Sequence, residues 1–437
     1  MTTDEPSRVL VLGAYGLIGA NVARALADRG HDVLAFGRDK AAAHRVLPDF
    51  PWLLRDMRAL IHPDDWKPLI DGVDMVVNCA GALQDNAQDN LELVHLHAIG
   101  ALVLACEKAG VGLVQISASG ARPDAPLPFF RTKADGDALI REAQTDWWIF
   151  RPGLVIAPSS YGGTTLIRML AGVPIIQPVA LPAAPVQTVS VQDVSRAVVR
   201  AVERRTPPGT EADLVEAEPR PLVDIISGTR RWLGFAPARV TLAIPLGMVR
   251  LIGRIADGLG KLGWRSPMRS TALAAIEMGV TGNPAETRKA LGRPALTLEE
   301  TFQDMPAAVE DRLFARVQLL TPLLIFALAL SWVWRGAAGL GAIDRMAETL
   351  AAHGMPVFTG RIVVGAISAM SIVLGLSLFV RRWAVRVLVV MVFVAIFYGA
   401  ALTLLAPYMW GDPFGAGANL LLVIVAALAT RVMMDTR

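Results

Sequence analysis

The chain has 437 residues, 53% of them hydrophobic, and a formal net charge of +3. A mean hydropathy of +0.45 is too high for a purely soluble enzyme, and the length allows two or three domains. The small basic excess gathers at the ends of apolar runs, so the charge pattern gives no footing for nucleic-acid binding.

The polar start, MTTDEPSR, does not read as a signal peptide. Arg8–Leu12 (RVLVL) has the pattern of a buried parallel strand. Gly13, Gly16 and Gly19 follow, and then a helical pattern over Asn21–Gly30. A strand, a glycine turn and a helix in that order point to a dinucleotide site. Gly13 permits the tight turn, Gly16 lets a pyrophosphate approach the backbone, and Gly19 lets the helix pack on the sheet. Tyr15, Leu17 and Ile18 lie inside the same turn and count with it as cofactor-binding residues. The next strand, His31–Phe36, runs into Gly37-Arg38-Asp39. An arginine there pairs with the 2′-phosphate of NADP, whereas an acid binds the ribose hydroxyls of NAD. Arg38 favours NADP(H), and Asp39 keeps NAD(H) open.

Strand patterns recur at Trp52–Leu54, Asp74–Asn78, Gly112–Ser117 and Trp147–Phe150, with helical stretches between them, notably Asn90–Ala109. That alternation predicts an α/β fold, a doubly wound parallel sheet of the Rossmann type. Ligands sit beyond strand ends in such sheets. This marks Asp56 and Met57 after one strand, and Cys79, Ala80 and Gly81 after another. Cys79 and Cys106 are the two cysteines, with no CxxC or mixed Cys/His cluster, so no metal is expected and both thiols read as reduced.

Six segments together resemble the short-chain dehydrogenase/reductase superfamily. They are GAYGLIG (13–19), NCAGA (78–82), VHLHAIGALVLACEKAGV (94–111), QISASGA (115–121), FFRTKADGDALI (129–140) and RPGLVIAP (151–158). The resemblance covers about residues 8–300 and is nearest to atypical, extended members similar to the NADPH-binding accessory subunit of respiratory complex I. It implies that Lys133 contacts the nicotinamide ribose and that Pro152 and Gly153 line the cofactor. It also implies a catalytic tyrosine four residues before the lysine, where helical spacing puts both on one face. That position is Phe129, which can neither give nor take a proton. The family's serine position falls on Ala118, between Ser117 and Ser119, and His97 stands where the family has asparagine. Lys133, His97, Ser117 and Ser119 are therefore the candidate catalytic set, with His97 a substitute acid because imidazole titrates near neutrality. Tyr161 is a further candidate.

Residues 155–190 are rich in Pro and Gly and suit a small lobe over the cofactor; Val189–Val202 returns to helix before Pro207-Pro208-Gly209. Over Ile244–Leu262, Arg250, Arg254, Asp257 and Lys261 form one polar stripe on an otherwise apolar helix. Such a helix either lies in a membrane interface or packs on the soluble lobe.

Four apolar runs close the chain, about Val317–Trp334, Val357–Val380, Ala384–Ala406 and Gly415–Thr430. The first three are long enough for a hydrocarbon core of about 30 Å, and the fourth is short, so that spanning needs either Arg431 snorkelling or local thinning of the bilayer. Trp332, Trp334, Tyr408 and Trp410 stand at run ends, as interfacial aromatics do. Arg312, Arg316, Arg381, Arg382, Arg386, Arg431 and Arg437 put both termini and the nucleotide domain on the cytoplasmic side of an inner membrane, against a modest conflict from Arg335, Arg345 and Arg361. No carboxylate or histidine lies within a run, which disfavours a transporter. A four-span tail of this kind resembles the DoxX-like family.

The expected organisation is a Rossmann core over 1–205, a small lobe with the amphipathic segment over 206–310, and a four-helix membrane domain over 311–437. Two functions follow. One is a membrane-anchored NAD(P)H-binding oxidoreductase acting on a quinone, lipid or other apolar substrate. The other is a non-catalytic nucleotide-binding subunit that assembles or senses redox state in a membrane complex. Membrane lipid is the expected partner, with no nucleic acid and no metal.

Overall fold

In a computed structural model of the chain, the strand patterns form β1 (Arg8–Leu12), β2 (Asp32–Gly37), β3 (Trp52–Leu54), β4 (Met75–Asn78), β5 (Gly112–Ile116) and β6 (Trp147–Pro152). A seventh strand, Thr210–Leu214, joins them in one parallel sheet, in the order seventh–β6–β5–β4–β1–β2–β3. The structure describes residues 5–81, 90–264, 266–405, 407–410 and 416–434. Ala82, Ala406, Asp412, Gly415 and Arg437, and the side chain of Tyr408, lie outside the described residues.

Alternation along β1 builds a core on each face of the sheet. Val9 and Val11 pack with Val22 and Leu26 of α1 (Leu17–Asp28) and with Val194 and Val198 of the helix Val191–Val202. Leu10 and Leu12 pack on the other side with Trp66, Ile99 and Leu102. The helices behind that second face are α3 (Pro63–Ile70), α4 (Ala98–Ala109) and α5 (Pro128–Arg141), whereas α2 (Lys40–Val46) lies on the α1 side, where Val46 packs on the first core. The order in which strands are added reverses between β1 and β4, which is where open α/β sheets bind ligands.

The lobe is built from short strand pairs. Leu154–Ile156 runs parallel to Thr188–Ser190, and Ile176–Val179 runs parallel to Val240–Ala243. Val240 and Leu242 are exposed, as are Ile175 and, on the helix Leu246–Lys261, Met248 and Leu251.

The chain divides into two compact units, Met1–Arg254 with Ser266–Arg312, and Ile255–Arg265 with Leu313–Arg437. Three helices in the second are long and apolar enough to cross a membrane: Val309–Gly341, Val357–Ser377 and Arg381–Leu404. Asn419–Met434 is a shorter apolar helix. Their packing is inverted relative to a water-soluble bundle. Small residues face inward: a Cβ on Gly336 or Gly339 would strike Ser368, and one on Gly375 would press on Ala329 and Val333. Large apolar side chains face outward, Phe358, Phe393 and Phe397 among them. Helices in lipid pack in this way, since close approach of backbones replaces the hydrophobic drive.

One expectation is corrected here. Trp332 is buried with Leu328 and Leu388 and is not an interfacial aromatic. The first helix runs on to Gly341, so Trp332 is not at its end. Ile343–Ala351 is a helix that packs on the next span where Gly360 meets Ala347.

Candidate functional site

The glycine turn is fixed from below by β2. Gly13 and Ala14 both donate to the Phe36 carbonyl, at 3.0 and 3.1 Å, and Gly16 donates to the Gly13 carbonyl at 2.9 Å. Gly13 has φ +70, and a Cβ on it would lie 2.9 Å from Ala80. A Cβ on Gly19 would strike the Gly13 carbonyl oxygen. These spaces form a cradle that side chains would fill. Gly16 begins α1 with no side-chain cap and no acidic residue in the first turn. The N–H groups of that turn, Leu17 and Ile18 among them, have no partner within the helix and present positive potential to an anion. The residues present thus fit a nicotinamide dinucleotide.

Tyr15 sits to one side of the cradle. Its ring packs on Gly37 and stacks on Trp52 with centroids 6.0 Å apart, and its hydroxyl accepts from the Arg38 N–H at 3.4 Å. Arg38 is exposed at the end of β2. The Asp39 carboxylate is occupied, because it caps α2 by accepting from the Ala41 and Ala42 N–H groups. Asp56 accepts from the Arg58 guanidinium at 2.6 Å, and that hydrogen bond holds its carboxyl below the ordinary value. Met57 is buried beside it.

The opposite end of the cleft is a buried polar cluster. Asn78 donates to Gln115 across β4 and β5 at 2.8 Å and accepts from the Ala80 N–H at 3.0 Å. Lys133 on α5 is 4% exposed, and its Nζ donates to the Ile116 carbonyl at 2.9 Å and toward the Ala80 carbonyl at 3.5 Å. Burial holds its pKa below the usual lysine range, against the attraction of Asp137. Cys79 is half-buried. Desolvation pushes its thiol up to about 12, which leaves it neutral and unreactive.

Ser117 and Ser119 do not point free hydroxyls at the cleft. Ser117 donates to Asp137 at 2.6 Å, and Ser119 donates to the Thr281 carbonyl at 2.6 Å. Pro152 accepts from the Ser119 N–H at 3.0 Å. Gly153 passes close to Gln187, whose carbonyl a Cβ would meet at 2.5 Å. Tyr161 is 56% exposed.

The structure separates His97 from the cluster and brings His95 into it. His97 is exposed, whereas His95 is 2% exposed. A π-helical turn over Leu93–His97 precedes α4, and the extra residue in that turn changes which histidine faces inward. His95 Nδ1 lies 2.9 Å from Thr132 Oγ1, and its ring meets Phe129 edge-on at 5.8 Å. A Cβ on Gly81 would stand 3.4 Å from both His95 Nε2 and Lys133 Nζ, so those two nitrogens converge on one point at the end of β4. Burial, then the nearby Lys133, holds the His95 pKa well below its ordinary value, so the ring is neutral near pH 7. His95, Thr132 and Asp137 are the residues that sequence reasoning missed. The available signal was the stripe His95, Ile99, Leu102 and Cys106, which is apolar and buried beyond the histidine. Among the described residues, no group of three His, Cys, Asp or Glu is placed to hold a metal ion.

Comparison with known proteins agrees with this geometry. Residues 13–205 match a family described as NAD(P)H-binding, and residues 329–428 match the DoxX-like family. A ceramide reductase of Caulobacter vibrioides is 23% identical over 251 residues, 56% of this chain and 76% of that protein. Sterol demethylase protein B of Methylococcus capsulatus is 26% identical over 345 residues, 69% of this chain and 98% of that protein. Among solved structures, an NADPH-dependent quinone oxidoreductase of Escherichia coli superposes with a TM-score of 0.51 at 15% identity, covering 68% of this chain and 99% of that one, which speaks for the fold alone. Residues 13–205 thus form an NAD(P)H-binding domain with a Rossmann-type sheet, and the apolar helices near the C-terminus match the DoxX-like family over residues 329–428.

Proposed function

We propose that this chain is a membrane-anchored NAD(P)H-dependent reductase of an apolar carbonyl compound or quinone drawn from lipid. The observation that carries the reading is Lys133. An ammonium group in a dry interior is costly, and here one is kept between the ends of β4 and β5, beside the glycine cradle. We assign residues 1–205 to the nucleotide, 206–310 to the lobe and 311–437 to the membrane, with the nucleotide domain on the cytoplasmic side of the inner membrane. The exposed Ile175, Val240, Leu242, Met248 and Leu251 suit a lobe working against lipid. The relatives named for ceramide and sterol chemistry favour a lipid substrate.

The first turn of α1, with Gly13, Gly16, Leu17, Ile18 and Gly19, would hold the pyrophosphate. Tyr15 braces the Arg38 loop, and Asp56 and Met57 would border the adenosine. Cys79, Ala80, Gly81, Lys133, Pro152 and Gly153 would line the nicotinamide end. When bound, the dihydronicotinamide supplies a hydride. Lys133 would orient the ribose through its ammonium, while Ser117 and Ser119 act as positioning residues, on Asp137 and the 281 backbone.

NADP(H) is the preferred cofactor, because Arg38 is exposed at the end of β2 while Asp39 is engaged as a helix cap. Arg38→Ala is expected to weaken NADPH binding about 10- to 100-fold and NADH binding by less than threefold, a difference of about 1.4 to 2.8 kcal/mol. Fluorescence titration with both nucleotides measures this, and parallel losses would remove Arg38 from the 2′-phosphate.

The reductase reading is tested with the full chain in detergent. Bound nucleotide is identified, and NAD(P)H oxidation is followed with a long-chain ketone, a 3-keto steroid and a short-tailed quinone. Phe129 favours the second reading, a nucleotide-binding accessory or sensing subunit of a membrane complex, since a phenyl ring cannot serve as the family's acid. Tight binding with no turnover of any probe would establish that reading.

A further inference from the structure

Reduction of a carbonyl needs a proton as well as a hydride, and Phe129 has none to give. The imidazole of His95 lies against that phenyl ring, at 5.8 Å and 70°. Its two nitrogens face different things. Nε2 lies on the Gly81 side, where Lys133 Nζ also converges. Nδ1 lies 2.9 Å from the Thr132 hydroxyl. Thr132 in turn borders a groove of about 320 Å³, which Asn90, Glu92, Arg131 and Asp135 also line. All four are exposed, so the groove is wet.

The Thr132 hydroxyl serves either tautomer of the ring. It also lies 3.2 Å from the Phe129 carbonyl oxygen. With Nδ1 protonated, Thr132 accepts from the ring and donates to that carbonyl. With Nδ1 bare, Thr132 turns its hydrogen to the ring. Neither state leaves Nδ1 or the hydroxyl unsatisfied, so the ring can exchange one proton for another without becoming a buried cation. Gly136 supports this placement, because its missing Cβ lets α5 close on the His95 carbonyl. The backbone of the π-turn is thereby clamped to the helix that carries Thr132 and Lys133.

We propose that His95 and Thr132 form a proton relay that stands in for the absent tyrosine, running from the groove through the imidazole to the substrate oxygen. The inference rests on the reductase reading. As the carbonyl carbon gains a hydride, its C–O π pair moves onto oxygen, and that oxygen takes the proton from Nε2. Nδ1 takes the Thr132 hydroxyl proton, and Thr132 is reprotonated by water in the groove. After product leaves, water admitted to the cleft reprotonates Nε2, and Nδ1 returns its proton through Thr132. One hydride and one proton are added per carbonyl, and the ring ends as it began.

The test uses the full chain in lipid nanodiscs, with ¹⁵N-labelled histidine and without nucleotide. The His95 ring signals are identified by their loss in His95→Gln. Exchange-averaged shifts for both ring nitrogens are expected, collapsing to one tautomer in Thr132→Val. A single tautomer, unchanged in that variant, would overturn the relay. With nucleotide and the long-chain ketone, His95→Gln should lower kcat about 100-fold or more, with KM and nucleotide Kd within about twofold. Thr132→Val should lower kcat about tenfold, and Thr132→Ser should restore it. An active wild type whose kcat survives His95→Gln refutes the relay but leaves the reductase reading standing. A wild type that binds nucleotide and reduces none of the three probes overturns the reductase reading, and the relay with it.

Discussion

Gly19→Val is expected to raise the Kd for nucleotide at least 100-fold and to lower the stability of the nucleotide domain by about 1–3 kcal/mol or more. The glycine lies in the first turn of α1, and any Cβ there collides with the Gly13 carbonyl oxygen. That oxygen cannot yield freely, because it accepts the Gly16 N–H that shapes the turn. The helix must therefore lift from the sheet or the turn must open, and either movement takes the N–H groups of the first turn out of line with an anion. Gly30→Ala is the control. Gly30 also has a positive φ, +86, but nothing lies within 4 Å of its absent Cβ. It should cost about 1 kcal/mol of backbone strain and leave affinity unchanged. Nucleotide fluorescence and thermal unfolding in detergent read both effects. Native affinity in Gly19→Val would remove the turn from the binding site.

Much of this architecture was legible because it depends on local pattern. Apolar runs that meet glycine mark strand ends, so Gly13 and Cys79-Ala80-Gly81 could each be set at the ligand end of a strand from pattern alone. The four apolar runs were legible for a similar reason, since length and the want of charge define them. What escaped depends on register or on distant partners. His95 and His97 are two residues apart on a helix and face nearly opposite ways, so one extra residue in the π-turn changes which is buried. Nothing local says that Asp39 is spent on a helix cap, that Tyr15 leans on Trp52, or that Ser117 gives its hydrogen to Asp137. Trp332 was misread because the helix runs past the apolar run to Gly341, through Gly336 and Gly339, which pack closely on Ser368.

Lys133→Met should lower turnover of the carbonyl probe at least 100-fold, and its stability should change with pH in a way that identifies the buried charge. Methionine keeps the length of the side chain but gives the Ile116 carbonyl no donor. It also takes a cation away from Asp137, which is fully buried and bonded to Ser117, with Arg151 Nε at 3.5 Å. Burial raises the Asp137 pKa above the ordinary carboxylate value, while Ser117, Arg151, Lys133 and Arg141 pull it back. Between the ordinary and the folded value the native state holds more protons than the unfolded chain, so stability falls as pH climbs through that window. Without Lys133 the folded value rises further, and the window stretches upward. Below the ordinary carboxylate pKa, Asp137 is neutral in both proteins and this part of the difference vanishes. From pH 4 to pH 7 the variant should therefore lose stability that the wild type keeps, about 1.4 kcal/mol for each unit by which the Asp137 pKa has moved. The constant offset between the two curves carries the lost hydrogen bond and the relieved cost of burying an ammonium, which oppose one another. The slope is free of both terms but also carries His95, whose pKa Lys133 lowers, so the two curves are compared in a His95→Gln background, where the slope reads Asp137. Parallel curves across that range would mean that Lys133 and Asp137 are not coupled, and that the lysine is held by the Ile116 and Ala80 carbonyls alone.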